Sequence, residues 1–232
     1  MDLNEFTAQY YKGLSSTVYK DPVPLDKSDT ALILIDVQDQ VSRDYFEEYL
    51  EKIGFDTSAL GQVLDEIEEI VKGTLANIEK ILRGCREKGI RPIHCKIQSY
   101  LNDASDTGRL HKSAGMLQPP NSRESRFLAE CAPIDDEIVL IKTCSGMHVG
   151  TPIDRILRNL GITNLIVVGF YTDQCVSTSI RDFADLGYRV TLVDDAVAAM
   201  SRERHEMALN GISNIYARSE TTSELLARLN KM

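Results

Sequence analysis

Three residues of this 232-residue chain stand where an acid, an amine and a thiol could act together. The apolar run ALILID ends on Asp36, EIVLIK ends on Lys142, and LIVVGFYTDQC reaches Cys175. Short aliphatic runs set between helical stretches read as buried parallel strands. Ligands of open α/β sheets bind outside the carboxyl ends of their strands. Three such ends would converge on one site equipped for an activated cysteine nucleophile.

Each residue has a functional and a plain reading. Cys175 follows a strand through Phe170-Tyr171-Thr172-Asp173-Gln174, and Val176–Leu186 reads as helix. A thiol at a helix N-terminus feels the positive end of the dipole, which favours thiolate, and free backbone N–H groups there could bind an oxyanion. Cysteine is also a common small buried hydrophobe. Asp36 would be the general base with a raised pKa, or a carboxylate capping a nearby turn. Lys142 would stabilise the thiolate and orient the carboxylate, or run its stem out to solvent.

The elements that must position these groups alternate. The expected strands are Thr30–Asp36, Arg91–Ile97, Glu137–Lys142, Leu165–Gly169, Arg189–Val193 and Asn214–Ala217. Between them, helices are expected over about 59–88, with a break at Gly73 and a stop at Gly89, and over Pro152–Leu160, capped by Thr151. Further helices are expected from Val176 to Leu186, over Arg202–Asn210 and over Ser219–Leu229, and Asp44–Glu51 reads as a short helix or loop. This predicts an α/β, three-layer Rossmann-like fold: a six-stranded, mostly parallel sheet with helices on both faces. Residues 1–28, with Tyr10, Tyr11 and Tyr19, show no sustained period and read as an N-terminal arm, and 29–232 as one α/β domain. From Gln98 to Pro133 the pattern dissolves, apart from a short helix expected near Ser122–Glu130. So long a loop in a compact domain points to a substrate-covering role.

Bulk composition excludes several classes. Hydrophobic content of 43% and charged content of 26% are those of a globular domain, and a net charge of −9 argues against nucleic acid or anionic membrane as partner. No run reaches membrane-spanning length. The N-terminus lacks a basic-then-apolar signal pattern, so the expected location is cytoplasmic. The five cysteines, Cys85, Cys95, Cys131, Cys144 and Cys175, include no C-x-x-C pair, which fits a reducing compartment and not a zinc finger or disulfide framework.

Local wording adds a resemblance. ALILIDVQ, the stretch from Lys142 with Ser-Gly shortly after, Gly-Ile-x-x-Leu-Ile-Val-x-Gly, Thr-Asp-x-Cys-Val-x-x-Thr, Arg-Asp-x-x-x-x-Gly-Tyr-x-Val and Val-Asp-Asp-Ala together resemble the isochorismatase-like cysteine hydrolase superfamily. The likeness covers about residues 30–217. It implies Asp36 as base, Lys142 as its partner and Cys175 as nucleophile. It also implies a non-proline cis peptide joining Phe170 to Tyr171, with the amides of Tyr171 and Cys175 as the oxyanion hole. Thr172 and Asp173 would shape the turn. No cofactor is implied. The partners implied are a small amide or carbamoyl substrate and a second or further copy of the chain, as homodimer or homotetramer.

Within that superfamily a thiol argues for attack on an amide, ureide or carbamoyl carbon rather than vinyl ether cleavage. No Asp-x-His occurs, so the metal site of nicotinamidases is not expected, and His94 and His111 read as isolated. The flavour is that of N-carbamoylsarcosine amidases and ureidoacrylate hydrolases. The carboxylate-binding arginine of the former would fall near Met200, which is a departure. Gln38, Tyr171, Lys112, Arg123 and Arg126 are the candidate substrate contacts. The competing readings are a vinyl ether hydrolase, a catalytically silent member and a redox cysteine.

Overall fold

Ala31–Ile35 are aliphatic without a break, and all are essentially inaccessible to solvent. A strand of that kind must be covered on both faces, and the computed structural model, which describes residues 1–18 and 22–232, places it at the centre of the sheet. In chain order the elements are α1 (Leu3–Val18), β1 (Thr30–Ile35), α2 (Arg43–Lys52), α3 (Gly61–Lys88) and β2 (Arg91–Ile97). Next come α4 (Arg109–Ser113), β3 (Ile138–Lys142), α5 (Met147–Gly150), α6 (Ile153–Asn159) and β4 (Asn164–Phe170). Then follow α7 (Ser177–Asp185), β5 (Arg189–Ala198), α8 (Arg202–Ile212), β6 (Arg218–Glu220) and α9 (Thr222–Leu229).

The strand order is β3-β2-β1-β4-β5-β6, and every neighbouring pair is parallel. The sheet is therefore wholly parallel, where the sequence pattern gives mostly parallel. The order reverses between β1 and β4, and that switch point opens a crevice at the carboxyl ends of the strands. Side chains alternate between two cores as the two-residue strand period requires. Ile33, Ile35, Leu165 and Val167 pack with Ile153 and Leu157 of α6 and Ile180 and Phe183 of α7. Leu32, Leu34, Ile166 and Val168 pack with Ile78, Ile81 and Leu82 of α3 and Leu225 and Leu229 of α9.

Several boundaries differ from the sequence pattern. Residues 3–18 are helical, although no sustained apolar period marks them; Phe6 and Tyr10 are exposed and stack on each other. Tyr19 lies outside the described residues. Helix α3 runs through Gly73 unbroken and ends as expected at Gly89, whose φ is +73°. Strand β5 continues five residues past Val193: Val197 and Ala198 pair with Gly169 and Phe170 of β4, and Asp195 turns its carboxylate onto the amide and hydroxyl of Thr222 at the start of α9. The last strand forms at Arg218–Glu220, after Asn214–Ala217 rather than within it. Near Ser122–Glu130 the expected helix shrinks to a single 3-10 turn at Ala129–Cys131. The backbone of 126–128 is held by the residues after β1, through Asp39 N to Arg126 O (2.9 Å) and Leu128 N to Val37 O (3.1 Å). Among the described residues no helix is long and apolar enough to cross a membrane.

Candidate active site

Each of the three chemical residues sits at the same edge of the sheet. Lys142 is the last residue of β3, Asp36 follows β1, and Cys175 follows β4 in the turn Thr172–Val176. Asp36 takes a left-handed φ of +52° and donates its amide to Cys95 O of the neighbouring strand at 2.9 Å. The Lys142 ammonium donates to Asp36 Oδ2 at 2.8 Å and to Cys144 O at 3.1 Å, and lies 3.4 Å from Cys175 Sγ. Lys142 and Asp36 are 0% and 1% exposed, so Lys142 is not a surface lysine.

Burial governs the charges. It raises the Asp36 pKa, and the opposing pull of Lys142 does not cancel the rise. Burial alone would lower the Lys142 pKa, but the facing Asp36, Cys175 and Cys95 outweigh it, and the ammonium holds its proton more tightly than usual. The Cys175 thiol is pushed up to about 12, first by burial and then by the Asp36 carboxylate, with Lys142 pulling the other way. Burial thus works against the helix dipole and favours the thiol form of Cys175. Asp36 Oδ1 is buried with no fixed donor on it and is the open acceptor beside that thiol.

The nucleophile turn is fastened from outside the triad. The Phe170–Tyr171 peptide is cis, at the position the resemblance implies. Gln174 departs from helical geometry (φ −127°, ψ −105°). The fully buried Thr172 hydroxyl pairs with His205 Nδ1 at 2.9 Å, and Asp173 accepts from Arg204 Nε at 2.7 Å. Neither α8 partner carries a signal in the sequence, since a polar residue on a helix reads as solvated until the fold turns it inward.

The other candidate residues are placed less favourably. Gln38 is fully buried, and its amide is spent on backbone: it donates to Ile97 O and Glu124 O (both 2.9 Å) and accepts from Ile97 N (2.8 Å). Its part is to tie the ends of β1 and β2 to the following loop. Arg123 is engaged by Asp39 (2.8 Å) and Glu48 (3.0 Å), so its charge is already matched. Lys112 and Arg126 are exposed and donate to Ser105 O and Asn121 O of their own segment. Tyr171 is half-buried and meets Phe170 edge to face. Among the described residues no group of His, Cys, Asp or Glu gathers that could hold a metal ion. A cleft of about 340 Å³ between α3, the end of β5 and α8 is lined by Glu69, Thr74, Asp194, Asp195 and His205, and the triad does not line it.

Residues 30–224 match the model of the isochorismatase domain. The chain belongs to the isochorismatase family. As a member of that family it is similar to a ureidoacrylate amidohydrolase of Agrobacterium fabrum, 29% identical over 193 residues that cover 76% of this chain and 78% of that protein. The fold is shared with a cysteine hydrolase from Pseudomonas syringae pv. phaseolicola (TM-score 0.72, 22% identity, 90% of this chain and 96% of that one). It is shared also with an N-carbamoylsarcosine amidase from Thermoplasma acidophilum (TM-score 0.60, 20% identity, 84% and 96%). This isochorismatase-family chain is thus a hydrolase, and its wholly parallel sheet is that of the family.

Proposed function

We propose that this hydrolase cleaves a C–N bond of a small amide, ureide or carbamoyl compound through a Cys175 thioester. The observation that carries the reading is the Lys142 ammonium, buried between Asp36 Oδ2 at 2.8 Å and Cys175 Sγ at 3.4 Å. The likeness to a ureidoacrylate amidohydrolase supports a ureide among the substrates.

Asp36 takes the thiol proton as Cys175 Sγ attacks the carbonyl carbon. Burial disfavours a free thiolate, so proton transfer and attack go together, and the raised proton affinity of Asp36 suits it to take the proton. Lys142 keeps its charge and offsets the negative charge as it passes from carboxylate to sulfur. The oxyanion rests on the backbone N–H groups of Tyr171 and Cys175. The C–N bond then breaks, Asp36 returns the proton to the departing nitrogen, and ammonia or an amine leaves. Water, deprotonated by Asp36, attacks the thioester, and the proton goes back to Cys175 as the acid product departs. No step calls for a cofactor. The chain acts as a homodimer or homotetramer on this reading.

Ammonia release from N-carbamoyl amino acids, ureidoacrylate, biuret, nicotinamide and aliphatic amides tests the reading, with Cys175→Ala as control. Release that disappears in the variant supports it. Release that survives in the variant overturns it.

A further inference from the structure

The segment from Gln98 to Pro133 is pinned to the catalytic ends of the strands by its backbone. Gln98 N donates to Lys142 O (3.1 Å), Ser99 N to Gln118 O (2.8 Å) and Gly108 N to Thr143 O (2.9 Å). Gly108 approaches so closely that a Cβ on it would lie 2.4 Å from Thr143 O. This contact seats the first turn of α4 beside the residues that follow Lys142.

Three polar side chains of the segment are more than nine-tenths buried yet incompletely bonded. His111 is 6% exposed, and neither ring nitrogen bonds another described residue; Nδ1 is fully enclosed. Thr107 is 7% exposed, with its hydroxyl unpartnered. Gln118 is 1% exposed; its amide nitrogen pairs with Gln40 Oε1 while its Oε1 has no donor. Folded proteins leave few buried polar groups unmatched, because each one costs stability. Three on one segment, which Gly108 ties to Thr143 just after β3, leave two acceptors and a hydroxyl for a ligand to match.

We infer that His111, with Thr107 and Gln118, hydrogen-bonds the N–H-bearing part of a small carbamoyl, ureide or amide substrate and selects it over an ether of the same shape. This deepens the reading given under Proposed function and rests on it. Burial and the charge of Lys142 both lower the His111 pKa, so the ring is neutral and offers one acceptor nitrogen. The Gln118 carbonyl is a second acceptor, and the Thr107 hydroxyl adapts to either role. A carbamoyl NH2 supplies donors to this wall. A vinyl ether supplies none and would leave the acceptors dry and unpaired, the condition under which a polar site discriminates most sharply.

The test compares two alkylating agents of similar reactivity on Cys175. Iodoacetamide carries an amide NH2, and iodoacetonitrile carries no N–H donor. In both, Sγ bonds to carbon, iodide leaves and the thiol proton passes to Asp36. The ratio of the two rates on the protein, divided by the ratio on glutathione, is the readout. That quotient is expected to be well above one in the native chain, to fall about tenfold in His111→Ala, and to return largely in His111→Asn, whose amide stands near Nδ1. His111→Phe keeps the volume without a nitrogen and replaces the alanine variant if that one does not fold. A quotient near one in the native chain, or one unchanged by His111→Ala or His111→Phe, overturns the His111 assignment and leaves the cysteine hydrolase standing. A Cys175 inert to both reagents overturns both.

Discussion

Gly169 stands so close to Ile35 that a Cβ on Gly169 would lie 2.0 Å from the Ile35 carbonyl oxygen. Its φ of +124° is itself one that other residues rarely adopt. The two strands that carry Asp36 and Cys175 owe their spacing at this point to a missing side chain. Gly169→Ala is therefore expected to cost at least about 3 kcal/mol, from overpacking against backbone and from the strained dihedral. Gly161→Ala, at φ +71° with open space around it, is expected to cost only about 1 kcal/mol. Urea midpoints of the two variants check the contrast, and a mild Gly169→Ala would contradict it.

Lys142→Met leaves the Asp36 carboxylate buried without its partner. Breaking such a pair costs about 3–5 kcal/mol unless the carboxyl takes up a proton. The expected result is a strongly destabilised protein with kcat reduced by about 10²-fold or more. Adding Asp36→Asn should recover part of the stability and none of the activity. Unfolding curves of the single and double variants, read as a cycle, measure the coupling. Additive losses would contradict a direct pairing.

The rate should fall on the acid side through the pKa of Asp36. Burial raises that pKa, so the acid limb of kcat/KM lies above pH 3.8, where an ordinary aspartate would place it. The sign follows because the base works only when deprotonated. A pH profile with no acid limb above 3.8 would remove Asp36 from the role of base.

Stability has its own acid dependence, set far from the triad. Glu137 binds Arg86 at 2.8 Å and His94 Nε2 at 2.9 Å and accepts the Ile134 amide. Burial alone would raise the Glu137 pKa, but these partners bring it down from 4.5 to about 2. A depressed folded-state pKa gives stability that is present above 4.5 and is lost as the pH falls through about 2. Burial also lowers the His94 pKa below 6.5, which adds a loss of the same sign from that point downward. Urea unfolding from pH 7 to pH 3 should show a falling midpoint, flatter in Glu137→Gln. An equal slope in both proteins would contradict the assignment.

What the sequence discloses and what it hides follow one rule. Strand ends bearing Asp36, Lys142 and Cys175 are legible because a polar residue closing an aliphatic run is unusual on its own terms. Strand β2 is legible to the residue, since Gly89 and the polar stretch after Ile97 bracket it. What depends on distant partners is not legible. Asp194 and Asp195 look like a strand terminator until α9 arrives to bond Asp195. Gln38 looks free until the backbone of Ile97 and Glu124 closes on it. His111 looks isolated because its setting beside Lys142 is made by Gly108 meeting Thr143 across the fold. The thiol of Cys175 reads as activated by its helix, and the burial that acts against it is seen only in three dimensions.

Trapping the covalent intermediate decides the matter most directly. The native protein, quenched in acid during turnover of a hydrolysable amide or ureide, is digested, and the peptide bearing Cys175 is weighed. A mass increase equal to the acyl portion of the substrate, removed by hydroxylamine and missing in Cys175→Ser, is the expected result. Turnover with an unmodified Cys175 and undiminished activity in Cys175→Ser would contradict the thioester and return the chain to vinyl ether chemistry.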